Sequence, residues 1–481
     1  MITSGDGDGQ PSPKIWLVRG ARLIGLAAAL LFMTGAGNQE RMASGDLDGV
    51  WRSRGYGLIV QVAHDNVRVI ELTPVSCVPI RTYSKNRFLS RYDVRPNRQN
   101  GTFATHNPAT LNPITFERLD AGGLDRLCRS GLTPHSDDPE LNFEVLWHTF
   151  AQHYAFFPAR KVDWNAVYAA FRPRIDEETT DRELGKVFEE MLEKLGDAHV
   201  SLTIDDDDVV SVESRLSKRL RAECKKQEGA DCDVNDYEDE RYRSFEKILR
   251  KTYLKGRRRT ALDSSVVWGR IDEKTGYLRV DSMAGLVRGR DSAKADLAAL
   301  KPVLDDIMED LGHLPGMIVD VRLNGGGDDT VALAIAGRFT DTRRVFGSKR
   351  AFEGSQWKGR QDLVLEPADG PRYHGRVAVL ISSETASAAE VFTLAMRSLP
   401  RVTLVGQATM GIFSDELYRR LPNGWRFSLS NESYRTPDGK SFEATGVPPD
   451  ILSPVMSLED SENGVDSAIE AAVAALRKGE K

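Results

Sequence analysis

The stretch at residues 376–390, RVAVLISSETASAAE, contains the sharpest change of pattern in the chain. Residues 376–381 form an apolar run typical of a buried strand, and small hydroxyl residues separate this run from a helical pattern that begins at Ala388. Ser387 therefore lies at a strand-to-helix corner. Such a corner raises a serine hydroxyl above the end of a sheet and leaves free backbone N–H groups beside it. The pattern predicts that Ser387 is a nucleophile.

The same residues fit a second interpretation. Ser387-Ala388-Ala389-Glu390 has the spacing of a capping box, in which the serine and the glutamate satisfy the free N–H groups of a helix start. Taken alone, this stretch favours the cap. Three other stretches, at residues 196–203, 317–327 and 441–450, favour catalysis because they supply the remaining groups that acyl transfer needs.

Strand and helix patterns alternate from Val266 onward. Strands are predicted at 277–280, 317–321, 377–381 and 402–405, and helices at 292–311, 330–339 and 388–397. Successive strands joined by helices imply parallel strands with right-handed crossovers. Residues 425–429 and the turn at 437–439 suggest a β-hairpin-like segment after the last of these strands.

A chain of 481 residues is too long for one small core, so several domains are expected. The fold class predicted is multidomain α/β. The predicted segments are a signal peptide at 1–37, a small β module at 46–130, a helical subdomain at 139–204, a charged helical insertion with a disulfide loop at 205–262, an α/β core at 264–460 and a C-terminal helix at 461–481.

The N-terminal segment has the layout of a secretory signal peptide. Three basic residues, Lys14, Arg19 and Arg22, precede an apolar run at 23–33, and small residues follow it, so cleavage is expected near Ala36. The run is short for a membrane span, and an uncleaved short anchor is the alternative. The sequence thus predicts a periplasmic or extracellular protein without a stable membrane span.

Export favours pairing of the four cysteines. Three connectivities are possible; the close spacing of Cys224 and Cys232 favours a local bridge, which leaves Cys77 with Cys128. No cysteine and histidine spacing typical of zinc occurs, so no metal is predicted. The net charge of −6 gives no electrostatic reason to expect a nucleic acid partner.

A glycine loop, Asn324-Gly325-Gly326-Gly327, follows the predicted strand at 317–321. It lacks the spacing of a dinucleotide loop or a P-loop, so no nucleotide cofactor is predicted. Glycines expose backbone N–H groups that a substrate can approach, and the N–H groups of Gly326 and Ala388 are predicted to form an oxyanion hole. A tight turn that needs positive φ explains the loop equally well.

His199 lies in the stretch LGDAHVSL (195–202), where a helical pattern stops at Gly196 and an alternating pattern begins. Element junctions often present catalytic groups, although a lone histidine is more often a structural residue. His313 and His374 are the rival histidines, and both lie near the starts of predicted strands, at the wrong end of the sheet.

Four stretches together resemble the tail-specific protease family, which includes the C-terminal processing peptidases and the tricorn protease core. They are DVRLNGGG (320–327), SETASAAE (383–390), FEATGVPPD (442–450) and LGDAHVSL (195–202). The resemblance covers about residues 139–204 and 264–455. It implies a crotonase-like ββα catalytic core and hydrolysis of peptide bonds, commonly near C-termini, by a serine at the position of Ser387.

The family has two catalytic designs. In the processing peptidases a lysine follows the serine in a Gly-Lys-Gly context, but the corresponding residue here is Ile412, and the chain has no lysine between Lys358 and Lys440. The tricorn-like design instead uses a histidine and a distant glutamate, and these positions match His199 and Glu443. The resemblance therefore implies a tricorn-like member without the Ser–Lys dyad.

In this design His199 is the base and Glu443 orients it. Tricorn has a serine immediately before its histidine, whereas this chain has Ala198, so the polar relay to the glutamate must differ. Ser201 or a water is the replacement that the sequence suggests.

The predicted function is that of a secreted or periplasmic serine peptidase that acts on peptides or unfolded proteins. Two other classes stay open. One is a catalytically idle member that binds an apolar ligand, because the family also resembles the repeats of interphotoreceptor retinoid-binding protein. The other is an envelope interaction protein in which the β module at 46–130 binds a partner.

Overall fold

A computed structural model describes residues 47–97, 100–120, 122–210, 212–290 and 292–478. The predicted signal peptide at 1–37 lies outside these ranges. None of the helices within them is both long enough and apolar enough to cross a membrane.

The strands are β1 (Gly49–Ser53), β2 (Leu58–Ala63), β3 (Asn66–Leu72), β4 (Cys77–Ser84), β5 (Arg95–Asn97), β6 (Thr102–Thr105), β7 (Ile114–Arg118), β8 (Ser201–Ile204), β9 (Asp207–Asp208), β10 (Arg259–Ala261), β11 (Val266–Arg270), β12 (Thr275–Val280), β13 (Gly316–Asp320), β14 (Arg344–Glu353), β15 (Gln356–Leu365), β16 (Arg376–Ile381), β17 (Val402–Gly406), β18 (Glu416–Arg420), β19 (Arg426–Ser430), β20 (Glu432–Arg435) and β21 (Ile451–Leu452).

The α-helices are α1 (Lys85–Tyr92), α2 (Gly123–Leu127), α3 (Pro139–His153), α4 (Phe157–Arg160), α5 (Trp164–Phe171), α6 (Asp181–Glu193), α7 (Arg215–Glu228), α8 (Val234–Ile248), α9 (Ala293–Leu311), α10 (Asp329–Ala336), α11 (Ala388–Arg397), α12 (Leu458–Asn463) and α13 (Ser467–Arg477).

The central sheet has seven strands in the order β10-β11-β12-β13-β16-β17-β21. All neighbours from β12 to β21 are parallel, with Val319 of β13 opposite Leu278 of β12 and Val379 of β16. The connections β12–α9–β13 and β16–α11–β17 are the strand–helix–strand units that the sequence predicts. The multidomain α/β prediction is therefore confirmed at the level of a mixed α/β fold.

Both faces of this sheet are covered, which explains why its strands are continuous apolar runs. Met317 and Val319 of β13 face the cluster that contains α9, α10 and α11. Ile318 points to the opposite face, where it joins a cluster formed with α13 and the residues after α8. The alternation follows from the two-residue period of a strand. The sheet edge that carries the loops after β13 and β16 is thereby held rigid from both sides.

Two smaller sheets complete the core region. One has the order β15-β14-β20, and the other has the order β18-β19-β8-β9. The long β14–β15 hairpin was not predicted. The prediction of a hairpin-like segment after residue 425 is wrong, because the two strands found there do not pair with each other. Strand β19 pairs with β18 and β8, whereas β20 pairs with β14. Strand β8, which directly follows His199, is thereby joined to the core.

The N-terminal strands form an antiparallel sheet in the order β4-β3-β2-β1-β7-β6-β5. The predicted disulfides are confirmed, since Cys77 is bonded to Cys128 and Cys224 to Cys232. The first bridge joins β4 to the segment after α2, and the second ties the end of α7 to the start of α8. The charged stretch before residue 262 is thus largely two helices joined by a short bridged loop.

The N-terminal sheet is fixed to the core by buried polar contacts. The carboxylate of Glu71, on β3, lies 3.9 Å from Arg419 and accepts a hydrogen bond of 2.9 Å from the N–H of Arg420. Tyr56 donates a hydrogen bond to Glu432 of β20. Burial raises the pKa of Glu71 to about 7, and Arg419 only partly opposes this effect.

The raised pKa of Glu71 predicts a pH dependence of stability. From its ordinary pKa of 4.5 up to about 7, the folded protein holds a proton at Glu71 that the unfolded chain has released. The free energy of unfolding then falls as the pH rises through this window, by at most about 1.4 kcal/mol per pH unit. Glu71→Gln removes the titration, so its unfolding free energy should fall less between pH 5 and pH 7.5 in urea denaturation.

Glu117→Gln is the matched control, because Glu117 is an exposed carboxylate of the same sheet that pairs with Arg54. This variant should keep the wild-type slope. An identical slope in wild type and Glu71→Gln would contradict the assignment.

Candidate active site

Ser387 occupies a strained corner between β16 and α11. Its backbone has φ 53° and ψ −123°, a region that residues with a side chain rarely adopt, and its side chain makes no capping hydrogen bond. Thr385 fixes the turn, because its hydroxyl donates to the carbonyl of Val321 at 2.8 Å and its N–H donates to Ser382. The corner therefore holds Ser387 in a costly conformation, and its hydroxyl has no hydrogen-bond partner in the described part of the chain.

The capping-box interpretation is wrong. The carboxylate of Glu390 turns away from Ser387 and accepts hydrogen bonds from a loop after β17: at Oε1 from the hydroxyl of Thr409 (2.5 Å) and the N–H of Gly411 (2.8 Å), and at Oε2 from the N–H of Ile412 (2.7 Å). Burial raises the pKa of Glu390 to about 7, although these hydrogen bonds and the field of His199 lower it.

The glycine loop lies directly against the serine corner. A Cβ on Gly326, whose φ is +104°, would come within 2.7 Å of the Ser387 Cβ and 3.0 Å of the Ala388 nitrogen. The Ala388 N–H has no acceptor among the described residues. The Gly326 N–H, by contrast, donates to Oδ1 of Asn324 at 2.8 Å. Of the two predicted oxyanion donors, Ala388 is therefore free in this conformation and Gly326 is engaged.

His199 lies two residues before β8 and is buried, with 8% of its surface exposed. Its N–H donates to Asp197 Oδ1 at 3.0 Å, and its carbonyl accepts a hydrogen bond of 2.7 Å from Ser428 of β19. Ser201 also bonds to Ser428, at 2.7 Å, so its hydroxyl is committed there. The Nδ1 atom of the His199 ring is buried and has no hydrogen-bond partner among the described residues.

Glu443 lies in the loop before β21 and is also buried, with 6% exposed. Its Oε2 accepts a hydrogen bond of 2.9 Å from the N–H of Phe413. Its Oε1 accepts none from the described residues, and its closest cation is Arg160 at 3.5 Å. Burial, reinforced by the negative charge of Asp197, raises the pKa of Glu443 well above its ordinary value, whereas Phe413 and Arg160 lower it.

The buried ring atom of His199 and the buried Oε1 of Glu443 are complementary. An Nδ1–H group is a donor and a carboxylate oxygen is an acceptor, and each lacks a partner in the described structure. Glu390 connects the two residues electrostatically, because its charge interacts with both His199 and Glu443. It also connects them to the serine, since its N–H donates to the carbonyl of Ser387 at 2.8 Å.

Three residues that contact His199 or Glu443 were not predicted from the sequence: Arg160, Asp197 and Ser428. The stretch LGDAHVSL does contain Asp197, two residues before the histidine, but only the fold shows that its carboxylate caps the turn at His199 and accepts from Tyr154 at 2.9 Å. No sequence signal identifies Ser428. No group of three or more histidine, cysteine or acidic residues in the described part of the chain is arranged to hold a metal.

Comparison with known proteins agrees with this picture. Residues 274–453 match the model of Peptidase family S41, and residues 136–193 match the Tricorn protease C1 domain. These two matches confirm the resemblance inferred from the motifs. The first match contains Ser387 and Glu443, and the second contains the helices that precede His199.

Individual relatives match over part of their length. A carboxy-terminal-processing protease of Bartonella bacilliformis is 27% identical over 184 residues, which are 38% of this chain and 39% of that protein. A tail-specific protease of Haemophilus influenzae is 30% identical over 164 residues, which are 32% of this chain and 23% of that protein. The chain therefore spans less than two thirds of either relative.

The crystal structure of a "putative peptidase" from Parabacteroides merdae superposes with a TM-score of 0.57 at 25% identity and covers 71% of this chain and 98% of that one.

The uncapped state of Ser387 predicts how its substitutions affect stability. Ser387→Ala should leave the free energy of unfolding within about 0.5 kcal/mol of wild type, because no cap is lost. Ser387→Gly should be more stable than Ser387→Ala by about 1 kcal/mol, because glycine tolerates the positive φ. Urea denaturation measures both.

Asp163→Ala is the control, since Asp163 accepts hydrogen bonds from the N–H groups of Asn165 and Ala166 as a true helix cap. It should lose about 1 kcal/mol. A loss of that size in Ser387→Ala would show that the serine is a cap after all.

Proposed function

We propose that this chain, which carries an S41 domain and a tricorn C1 domain, is a serine peptidase that hydrolyses peptide bonds with Ser387 as nucleophile. The observation that carries the proposal is the corner itself: Ser387 adopts a strained positive φ, makes no cap, and lies beside the unoccupied Ala388 N–H. A crotonase-like ββα core is part of this proposal.

In the first step His199, as the neutral imidazole, takes the proton of the Ser387 hydroxyl while the oxygen attacks the scissile carbonyl. A bond forms between the serine oxygen and the carbonyl carbon, and the carbonyl electrons move onto its oxygen. The Ala388 N–H, at the start of α11, donates to this oxyanion, and the helix dipole adds to the stabilisation.

Gly326 is the proposed second donor. Its N–H would be shared between Asn324 Oδ1 and the substrate oxygen, and its missing Cβ leaves room for that oxygen beside Ser387. The amine then leaves with the proton returned by His199, and water repeats the sequence on the acyl-enzyme.

Glu443 is the proposed orienting group. An ionised Glu443 accepts a hydrogen bond from Nδ1–H of His199 and stabilises the imidazolium that forms when Ser387 loses its proton. The unpartnered Nδ1 and Oε1 atoms support this role. Since the Ser201 hydroxyl is bonded to Ser428, a direct contact or a bridging water is the proposed link at Ala198.

The substrate class is inferred from the relatives, which are named as carboxy-terminal-processing and tail-specific proteases. We extend this to peptides or unfolded proteins cut near their C-termini, met by an exported enzyme in the periplasm or outside the cell.

Ser387→Ala and His199→Ala should each abolish cleavage of a denatured protein such as casein, with kcat reduced by about 10⁴-fold or more because each removes a group that acts in bond making. Gel-based and mass-spectrometric detection of fragments gives the readout. His313→Ala is the control, because His313 is an exposed histidine that contacts Arg270. Unchanged cleavage by Ser387→Ala would refute the proposal.

Glu443→Gln should retain the shape of the side chain but remove the charge that stabilises imidazolium. We expect kcat to fall by up to about 10⁴-fold. Lys440→Met, which removes a lysine three residues away, should cleave at the wild-type rate. Full activity in Glu443→Gln would remove Glu443 from the mechanism without affecting the role of Ser387.

A further inference from the structure

Arg160 is the last residue of α4, within the segment that matches the tricorn C1 domain, yet its side chain reaches the loops of the active site. Its guanidinium donates to the carbonyl of Gly196 and, at 3.4 Å, to the carbonyl of Gly411. It lies 3.6 Å from Asp197 Oδ1 and 3.5 Å from Glu443 Oε1. One side chain therefore touches the histidine loop, the loop after β17 and the glutamate.

The charges around Arg160 do not balance. Three buried carboxylates, Asp197, Glu390 and Glu443, lie in this region, and the charges of Asp197 and Glu390 both act on Glu443. Arg160 is the cation that acts directly on Glu443, and its side chain is only 12% exposed. Tyr154, which donates to Asp197, and His199, which acts electrostatically on Glu390, also lie at this cluster. Arg215 donates to the carbonyls of Ala408 and Thr409, in the loop that binds Glu390.

The protonation state of Glu443 decides whether it can do its proposed work. Burial and two neighbouring negative charges favour the neutral acid, which stabilises an imidazolium poorly. The positive charge at 3.5 Å opposes this and favours the carboxylate. The contact is longer than a good hydrogen bond, so Oε1 can still accept a hydrogen bond from another donor.

We propose that Arg160 is a positioning residue that keeps Glu443 ionised and turned toward His199. A residue of the helical region would then control the protonation state of Glu443, which belongs to the core. This rests on the proposed function, because it assigns a role within the same reaction. The competing explanation is that Arg160 is only a strut, which holds the loops together through the carbonyls of Gly196 and Gly411.

The pH profile of kcat/KM separates the two explanations. In Arg160→Gln, loss of the cation favours protonated Glu443, so the rising limb of the profile should be displaced to higher pH by about 1 to 3 pH units. At pH 7 the variant should be about tenfold slower or worse, and at high pH it should approach wild type. If Arg160 only holds the loops together, Arg160→Gln should instead lower the rate by the same factor at every pH.

Second-site rescue gives an independent readout. Asp197→Asn keeps an acceptor for the His199 N–H but removes the charge that, after burial, most favours protonated Glu443. In the Arg160→Gln/Asp197→Asn double variant the rising limb should move back toward the wild-type position. Arg160→Lys, which keeps the charge, should show a smaller displacement than Arg160→Gln.

Arg172→Gln is the matched control, because Arg172 also pairs with two carboxylates, but these are Glu140 and Glu144 of α3 rather than Asp197 and Glu443. Its profile should superpose on wild type. Thermal unfolding confirms that each variant is folded. If Arg160→Gln does not fold, Arg160→Lys decides: the proposal requires a rising limb displaced to higher pH, and a profile lowered uniformly at every pH would overturn it.

A profile for Arg160→Gln that is lowered uniformly, or one that equals wild type, would overturn the proposal, as would the absence of rescue by Asp197→Asn. These failures differ from a failure of the proposed function, which would appear as wild-type hydrolysis by Ser387→Ala.

Discussion

The burial of negative charge is the constraint on which the active-site region depends. A carboxylate removed from water costs several kcal/mol unless donors or cations surround it, with an idealised cost of about 20 kcal/mol. The loop after β17 supplies most of the donors: the N–H groups of Gly411 and Ile412 point to Glu390, and that of Phe413 points to Glu443. The path of this loop is therefore set by two carboxylates that come from different parts of the chain. The first of them, Glu390, also contacts the serine corner, because its N–H donates to the carbonyl of Ser387.

The surroundings of Ile412 differ from those that a catalytic lysine would have. The resemblance of the motifs places Ile412 where the Ser–Lys design has its lysine, and here the Ile412 side chain is apolar and its N–H donates to Glu390. Two acidic side chains, Glu390 and Glu443, are therefore buried beside this loop, and Arg160 is the cation that lies 3.5 Å from the second. Burial and the charge of Asp197 favour neutral Glu443, and the positive charge of Arg160 opposes this effect.

The sequence predicted what local patterns encode. The four parallel strands that the sequence predicts, β12, β13, β16 and β17, appear within two residues of their expected bounds because each is a doubly covered apolar run. Helix α11 begins at Ala388 as expected, whereas the short parallel strand β21 was not predicted. Both disulfides followed from spacing and elimination. The β14–β15 hairpin was missed although Gly354-Ser355 is a two-residue turn signal, because its strands mix charged and apolar residues.

Contacts between distant segments were beyond local patterns. Glu390 has the spacing of a capping box, but its carboxylate oxygens instead accept hydrogen bonds from a loop about twenty residues further along the chain. Arg160 ends a four-residue helix and looks like an ordinary surface cation until the fold brings residues 196, 411 and 443 to it. The engagement of the Gly326 N–H by Asn324 likewise depends on the exact path of a loop that the sequence marks only as glycine-rich.

The central claim is that Ser387 is an activated nucleophile. Treatment of the protein with a fluorophosphonate, followed by peptide mapping, tests it most directly, because only an activated hydroxyl displaces fluoride from phosphorus. We expect a single stoichiometric adduct on Ser387 in wild type and far slower labelling in His199→Ala. No adduct, or an adduct on another residue at the same rate in both proteins, would contradict it.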